Sequence, residues 1–112
     1  GVVANNSGHL AGAIDSDGAD KAARILQLCD AFDIPVVTLV DTPGMMVGPA
    51  IEATALVRHC TRLFVVGANI TVPMVSVVLR KSYGLGAQAM MGGSTKAPLA
   101  CSRNSGATAR LR

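Results

Sequence analysis

Three short runs rich in β-branched residues begin near residues 2, 35 and 72, and each leads into a stretch with helical character. Parallel strands cannot be joined by a tight turn. They need a crossover of a dozen or more residues, and a helix is the usual one. The alternation therefore predicts a parallel α/β arrangement with right-handed crossovers. Composition agrees. Half of the residues are apolar but only 3% are aromatic, and there is no Trp. Strands buried on both faces, with helices packed against them, draw on such a Val, Leu, Ile and Ala palette. The length, 112 residues, fits one small domain or a piece of a larger one.

The first strand is read at residues 2–5, followed by a polar, Gly-rich turn at 5–9 and an Ala/Gly-rich passage at 10–14. Asp15 and Asp17 make a good N-cap cluster, with Asp20 in the first turn, and helix is predicted to about Phe32. Ala22, Ile25, Leu26, Cys29 and Phe32 share its apolar face. Lys21, Arg24, Gln27 and Asp30 take the other. A second strand at 36–40 ends in the turn Asp41-Thr-Pro-Gly44. One long helix is predicted over residues 49–68, with Pro49 in its first turn. Ala53, Leu56, Val57, Cys60, Leu63, Phe64 and Gly67 recur at three- and four-residue steps. A third strand at 71–79 runs into Gly84-Leu-Gly86 and a short helix at 87–91. Beyond Pro98 the pattern stops, and residues 101–112 read as a disordered or poorly packed tail.

Charge and cysteine usage narrow the function classes. Of the 10 basic residues, Arg103, Arg110 and Arg112 lie after residue 100, while all 7 acidic residues precede it. With no basic stripe and few aromatics for stacking, nucleic acid is not an expected partner. No run approaches the roughly 18 apolar residues of a membrane span. Cys29, Cys60 and Cys101 are odd in number and widely spaced, which suits neither a disulfide framework nor a metal site. Cys29 and Cys60 read as small core residues, in keeping with a reducing, cytosol-like compartment.

The chemistry-bearing candidate is the glycine turn. A strand entering Gly84-Leu-Gly86 and then a helix leaves backbone N–H groups unsatisfied at the helix mouth, with no side chain in a ligand's way. Such a turn stabilises a phosphate or an oxyanion, and one well-placed donor contributes about 3–4 kcal/mol in a transition state. Gly84-Leu-Gly86-Ala-Gln-Ala89 also fits a relaxed dinucleotide fingerprint, but that reading needs a long helix, a further strand and an acidic ribose ligand. Asp41-Thr-Pro-Gly44 is a turn of the kind found beside nucleotide phosphates. Without a Gly-x4-Gly-Lys-Ser/Thr loop it reads as a turn that Asp41 caps. Arg80-Lys81 could attract an anion or could end a strand in solvent. His59, beside Arg58 on a helix, reads as a surface or capping residue. The role of His9, in a Gly-rich loop, stays open.

Several segments then occur in an order and spacing that single motifs lack. They are Gly1-Val-Val-Ala-Asn-Asn6, Ala13-Ile-Asp15, Asp20-Lys-Ala-Ala-Arg24, Leu28-Cys-Asp-Ala-Phe-Asp-Ile-Pro35, Val40-Asp-Thr-Pro-Gly44, Val57-Arg-His59 and Arg80-Lys-x-Tyr-Gly84. Together, over residues 1–98, they resemble the carboxyltransferase subunit (β chain) of biotin-dependent acyl-CoA carboxylases, the acetyl-/propionyl-CoA carboxylase family. The resemblance implies α/β structure as part of a crotonase-type spiral of β-β-α units, with residues 10–14 as a possible short second strand. It implies transfer of a carboxyl group from carboxybiotin, held on a partner carrier domain, to the α-carbon of an acyl-CoA. It also implies a homo-oligomer, a biotin carboxylase partner, and a cytoplasmic or mitochondrial-matrix setting.

On this resemblance the Gly84–Ala87 turn is a backbone oxyanion hole for biotin's ureido oxygen. Leu85 and Gly86 are the first choice of donors and Ala87 the next, with Gln88 lining the pocket. Asp41, Gly44 and Met45 fall in the pocket-edge segment. No metal is implied. Ser7 stands where the family usually has Pro, and Met45 where it favours Phe. The implied protein is several times longer, and the thioester oxyanion hole lies on a domain outside this chain. Residues 1–98 are thus expected to be part of a C-terminal carboxyltransferase domain, inactive alone. Residues 99–112 are expected to be a non-family tail; one codon choice for Arg103-Asn-Ser-Gly106 reads Glu-Phe-Gly in an adjacent frame, as a frameshift would leave it. The alternatives are a non-catalytic interaction module and a dinucleotide-binding unit.

Overall fold

The computed structural model describes residues 1–93 and the backbone of 100–103. Four parallel strands, β1 (Val2–Ala4), β2 (Val36–Thr42), β3 (Met74–Ser82) and β4 (Ala100–Arg103), lie side by side in chain order. The connections carry α1 (Ser16–Ala31), the pair α2 (Pro49–Glu52) and α3 (Leu56–Asn69), and α4 (Gly84–Met90). Strands that advance steadily across a sheet by crossovers of one hand deposit their helices on one face. The core shows this. Val36 and Val40 of β2 and Met74 and Val78 of β3 pack with Ala19, Ala23, Leu26 and Cys29 of α1 and with Leu56, Cys60 and Leu63 of α3. In the same layer Thr38 Oγ1 donates to Ser76 Oγ at 2.8 Å, pairing two buried hydroxyls across the central strands.

The α1 start matches expectation: Asp15 is the N-cap, and its Oδ1 accepts the Gly18 N–H at 2.8 Å. Phe32, expected on the buried face, is 69% exposed because it sits at the C-cap, beyond the last helical turn. Asp30, expected to face solvent, accepts the N–H groups of Thr71 (2.7 Å) and Val72 (3.3 Å) through Oδ1. That contact ties the end of α1 to the approach of β3, and β3 itself begins only at Met74, not at residue 71.

The long helix expected over 49–68 is two helices. Ala55 takes a left-handed conformation, φ 55°, ψ 40°, between α2 and α3. The break turns the chain so that Leu56, Cys60, Leu63 and Gly67 are buried while Val57 is 78% exposed. The possible short strand at 10–14 is a 3-10 turn, Leu10–Gly12, after which Ile14 alone makes a parallel bridge with Met45. The tail expectation is corrected at four residues: Ala100–Arg103 pairs in parallel with Val75–Val78. The remainder of that expectation, over 104–112, lies outside the described residues, as does Lys96-Ala-Pro98.

Candidate functional site

The glycine turn is the first turn of α4 itself. The helix starts at Gly84, three residues earlier than the sequence reading placed it. Gly84 has φ 58°, a left-handed value that lets the chain swing from strand to helix within one residue. Tyr83 is the N-cap, and its side chain makes no capping bond. The Tyr83 N–H donates to Thr42 O at 3.3 Å, and the Ala87 N–H donates to Tyr83 O at 3.4 Å. The N–H groups of Gly84, Leu85 and Gly86 have no acceptor among the described residues. Those of Leu85 and Gly86 were the first choice as donors, and both are open. The Ala87 N–H, the next choice, is engaged by Tyr83 O, while that of Gly84 has no acceptor among the described residues.

Gly86 is buried, and its place in the sequence has a steric reason. A Cβ there would stand 2.7 Å from the Gly44 carbonyl carbon and 2.9 Å from the Gly44 Cα. Helix and turn therefore meet backbone to backbone, which brings the Asp41–Gly44 segment against the mouth of α4. Thr42 braces that turn: its hydroxyl accepts the Gly44 N–H and donates to Gly44 O, both at 3.1 Å. Beyond it, Ile14 N–H donates to Gly44 O at 3.0 Å and Met46 N–H to Ile14 O at 2.9 Å, so Met45 lies in a segment bonded to the 10–14 loop. Gln88 is exposed on α4, one turn from the open N–H groups.

Asp41 is largely occupied by the chain. Its Oδ1 accepts the Lys81 N–H at 3.1 Å, and Arg80 Nη2 lies 3.3 Å from Oδ2. The Lys81 ammonium donates to Ala11 O at 3.0 Å. Of the two readings of Arg80-Lys81, an anion attractor or a solvated strand end, the exposure of Arg80 (64%) at the end of β3 fits the second, while both residues also bond within the chain. The sequence reading also missed Thr42 and Asn5, whose Oδ1 accepts the Asp41 N–H at 3.1 Å. A Thr two residues before a Gly is a known turn signal that could have pointed to the first. Nothing local pointed to the second.

The remaining titratable groups lie apart from this turn. His59 Nδ1 is 2.7 Å from Asp20 Oδ2, between α3 and α1, and Arg62 is 3.5 Å from the same carboxylate. His9 lies 3.4 Å from Asp15. The Gly18 N–H bond, with help from His9, holds the Asp15 carboxyl below its ordinary range against the opposing effect of burial. Burial pushes the Cys60 thiol up, and Asp15 and Asp20 add to the effect. That suits a core thiol and not a nucleophile. Among the described residues no His, Cys, Asp or Glu cluster could hold a metal ion. A cleft of about 600 Å³ runs along β1 and α1, lined by Val3, Asn5, His9, Asp15, Lys21 and Ile25 among others. It shares only Met90 with α4, so the open N–H groups do not face it.

A sheet whose strands follow one another in order has no point at which the order reverses, and dinucleotides bind at such a point. Among the described residues there is no such reversal and α4 has only seven residues, so those features of a dinucleotide-binding unit are not found there. Comparison with known proteins defines the fold positively. Residues 1–110 match the carboxyl transferase domain family, and the chain belongs to that family. It is 49% identical over 92 residues to the propionyl-CoA carboxylase beta chain of Saccharopolyspora erythraea, a stretch that is 82% of this chain and 17% of that protein. It is 47% identical over 92 residues to the biotin-dependent long chain acyl-coenzyme A carboxylase beta4 subunit of Mycobacterium tuberculosis, with the same coverage.

Two solved structures are similar. A single-chain, multi-domain long-chain acyl-CoA carboxylase superposes with TM-score 0.85 at 50% identity, covering 90% of this chain and 11% of that one. Transcarboxylase 12S, a hexamer solved with methylmalonyl-coenzyme A and methylmalonic acid bound, superposes with TM-score 0.84 at 37% identity, covering 90% and 20%. The chain therefore has the crotonase-type fold of the carboxyltransferases, as the resemblance implied. It spans about a sixth of the length of the curated relatives it matches.

Proposed function

We propose that this chain is the biotin-facing part of an acyl-CoA carboxyltransferase, which moves a carboxyl group from carboxybiotin to the α-carbon of an acyl-CoA. The observation that carries the reading is the row of N–H groups at Gly84, Leu85 and Gly86, open at the end of a central strand in a chain of this family. Three unpaired donors at a helix start fit the ureido oxygen of biotin, a neutral acceptor that gains negative charge when the carboxyl group leaves. Biotin, when bound, brings the carboxyl group to the site. The chain's own residues orient it: the open N–H groups hold the oxygen, Gln88 and Met45 line the approach, and Gly44 keeps the turn close to α4. Because α4 packs directly on the Gly44 backbone, the donors stand pre-organised, with no reorganisation needed as charge develops.

The same reading makes residues 1–98 part of a C-terminal carboxyltransferase domain, with the acyl-CoA thioester held by a second oxyanion hole on another domain. Its partners are then a biotin carrier with its biotin carboxylase and further copies of the full subunit. Hexamer assembly of the transcarboxylase relative supports the last point. The free thiols of Cys29 and Cys60 are compatible with a cytoplasmic or matrix setting. A frameshifted tail beyond the strand at 100–103 remains part of the proposal although the family match extends to residue 110, and sequencing the flanking DNA tests it.

The reading is tested by titrating the ¹⁵N-labelled chain with biotin. The expected result is movement of the Leu85 and Gly86 amide signals ahead of all others, and its loss in Gly86→Ala, whose Cβ forces α4 off the turn. Equal movement at the start of α1, or none at α4, would overturn it. Supplied with carboxybiotin and propionyl-CoA, the chain alone is expected to transfer nothing above background.

A further inference from the structure

The bond between β2 and β3 changes register just before the site. Val40 is opposite Val78, but Thr42 is opposite Ser82, so β3 advances four residues where β2 advances two. A bulge leaves backbone groups without ladder partners and re-aims the strand that follows it. Here the strand that is re-aimed runs straight into α4: Ser82 ends β3, and Gly84 begins the helix.

The side chain of Asp41 fills the gap in the ladder. Its Oδ1 takes the Lys81 N–H, which the register change leaves without a backbone carbonyl, at 3.1 Å, and lies 3.4 Å from Arg80 Nε. Oδ2 faces Arg80 Nη2 at 3.3 Å. The other side of the residue is fixed as well, since the Asp41 N–H donates to Asn5 Oδ1. The Lys81 side chain extends the brace to Ala11 O in the 3-10 turn. One residue on from Asp41 and two on from Lys81, just past the end of β3, Tyr83 N–H meets Thr42 O, and Tyr83 O then receives the first bond of α4. The Asp41 carboxylate thus holds the chain at Lys81, and two residues on Tyr83 is bonded both to Thr42 and to the first turn of α4. The carboxyl is 12% exposed and its oxygens face donors of the chain, so it is built to hold the backbone and not a ligand.

We infer that Asp41 is a positioning residue: its carboxylate serves as the missing rung of the β2–β3 ladder and thereby sets the direction of α4 and of the Gly84–Gly86 N–H groups. That these groups hold biotin rests on the function proposed above; that Asp41 aims them does not.

Amide hydrogen exchange on the full 112-residue chain separates the two. In Asp41→Ala, amides of Gln88–Met90 are expected to exchange about tenfold faster, the loss of one hydrogen bond to a charged acceptor, while those of α1 and α3 stay within about twofold of the unsubstituted chain. Asp41→Asn keeps an acceptor oxygen and is expected to restore most of the protection, along with the biotin-induced shift at Leu85. Asp41→Leu fills the volume without an acceptor and should behave like Asp41→Ala, which keeps the question measurable where the smaller side chain unfolds the protein. Unchanged exchange in α4, an equal loss of protection in all helices, or unfolding of both acceptor-free variants overturns the inference. So does an Asp41→Asn variant no better protected than Asp41→Ala. A biotin titration that moves nothing in the unsubstituted chain overturns the proposed function but leaves the exchange result standing.

Discussion

Two aspartates show how far a residue type can be read before its partners are known. Asp15 was legible as an N-cap because its acceptor, Gly18 N–H, is three residues away. Its native pKa is lowered, mainly by that bond, so the charged form is favoured in the folded state. Its contribution to stability is therefore complete above the unfolded value, about 3.8, and is lost as pH falls through the lower native one. Asp15→Ala is expected to cost about 1 kcal/mol at neutral pH, measured by urea unfolding. Asp15→Asn should retain much of the cap and lose the dependence of stability on pH in that acid window. Asp41 was legible only as a turn residue, because its partners lie 39 and 40 positions away.

At the scale of elements, periodicity located α1, α3 and the central strands but did not see where one helix becomes two. The apolar repeat over 49–68 continues through Ala55, and Ala has the highest helix propensity, so no local signal marks the break. The break is imposed by packing: Leu56, Cys60 and Leu63 must face α1 and the sheet, and a straight continuation from α2 would turn them elsewhere. The cost is a non-glycine residue at φ 55°. Ala55→Gly is accordingly expected to stabilise the chain by up to about 1 kcal/mol, relief of the left-handed strain less the added freedom of the unfolded chain. A rise in the thermal midpoint with unchanged helical circular dichroism checks this. No change, or a fall, would mean that the left-handed turn carries little strain. The same limit applies to α4, whose glycines mark a helix start without saying which N–H groups stay open.

Across the whole molecule, the sheet is covered on one face only among the described residues. On the other, Val2, Val37 and Leu79 are exposed by 66%, 37% and 44%, with Leu39, Val75 and Val77 between them. Composition suggested strands buried on both faces; in this chain the second covering layer is not among the described residues. A contiguous patch of Val and Leu in water favours association. The isolated chain is expected to show concentration-dependent self-association in sedimentation velocity, reduced by Leu79→Lys with little change in helical content. Monomeric behaviour throughout the micromolar range would show that the face is too small or too curved to associate. No helix among the described residues is long and apolar enough to cross a membrane.

By itself the sequence determined the parallel α/β alternation, the family and the position of the glycine turn. Each of these is carried by neighbouring residues or by an order of motifs along the chain. Only the tertiary structure decided which donors of that turn are open, that Gly86 must lack a side chain beside Gly44, and that Asp41 completes a ladder in place of a backbone carbonyl. The physical reason is range. Those outcomes depend on contacts between residues some 40 positions apart, and the helical and strand periods that make a sequence readable carry no information about such pairs.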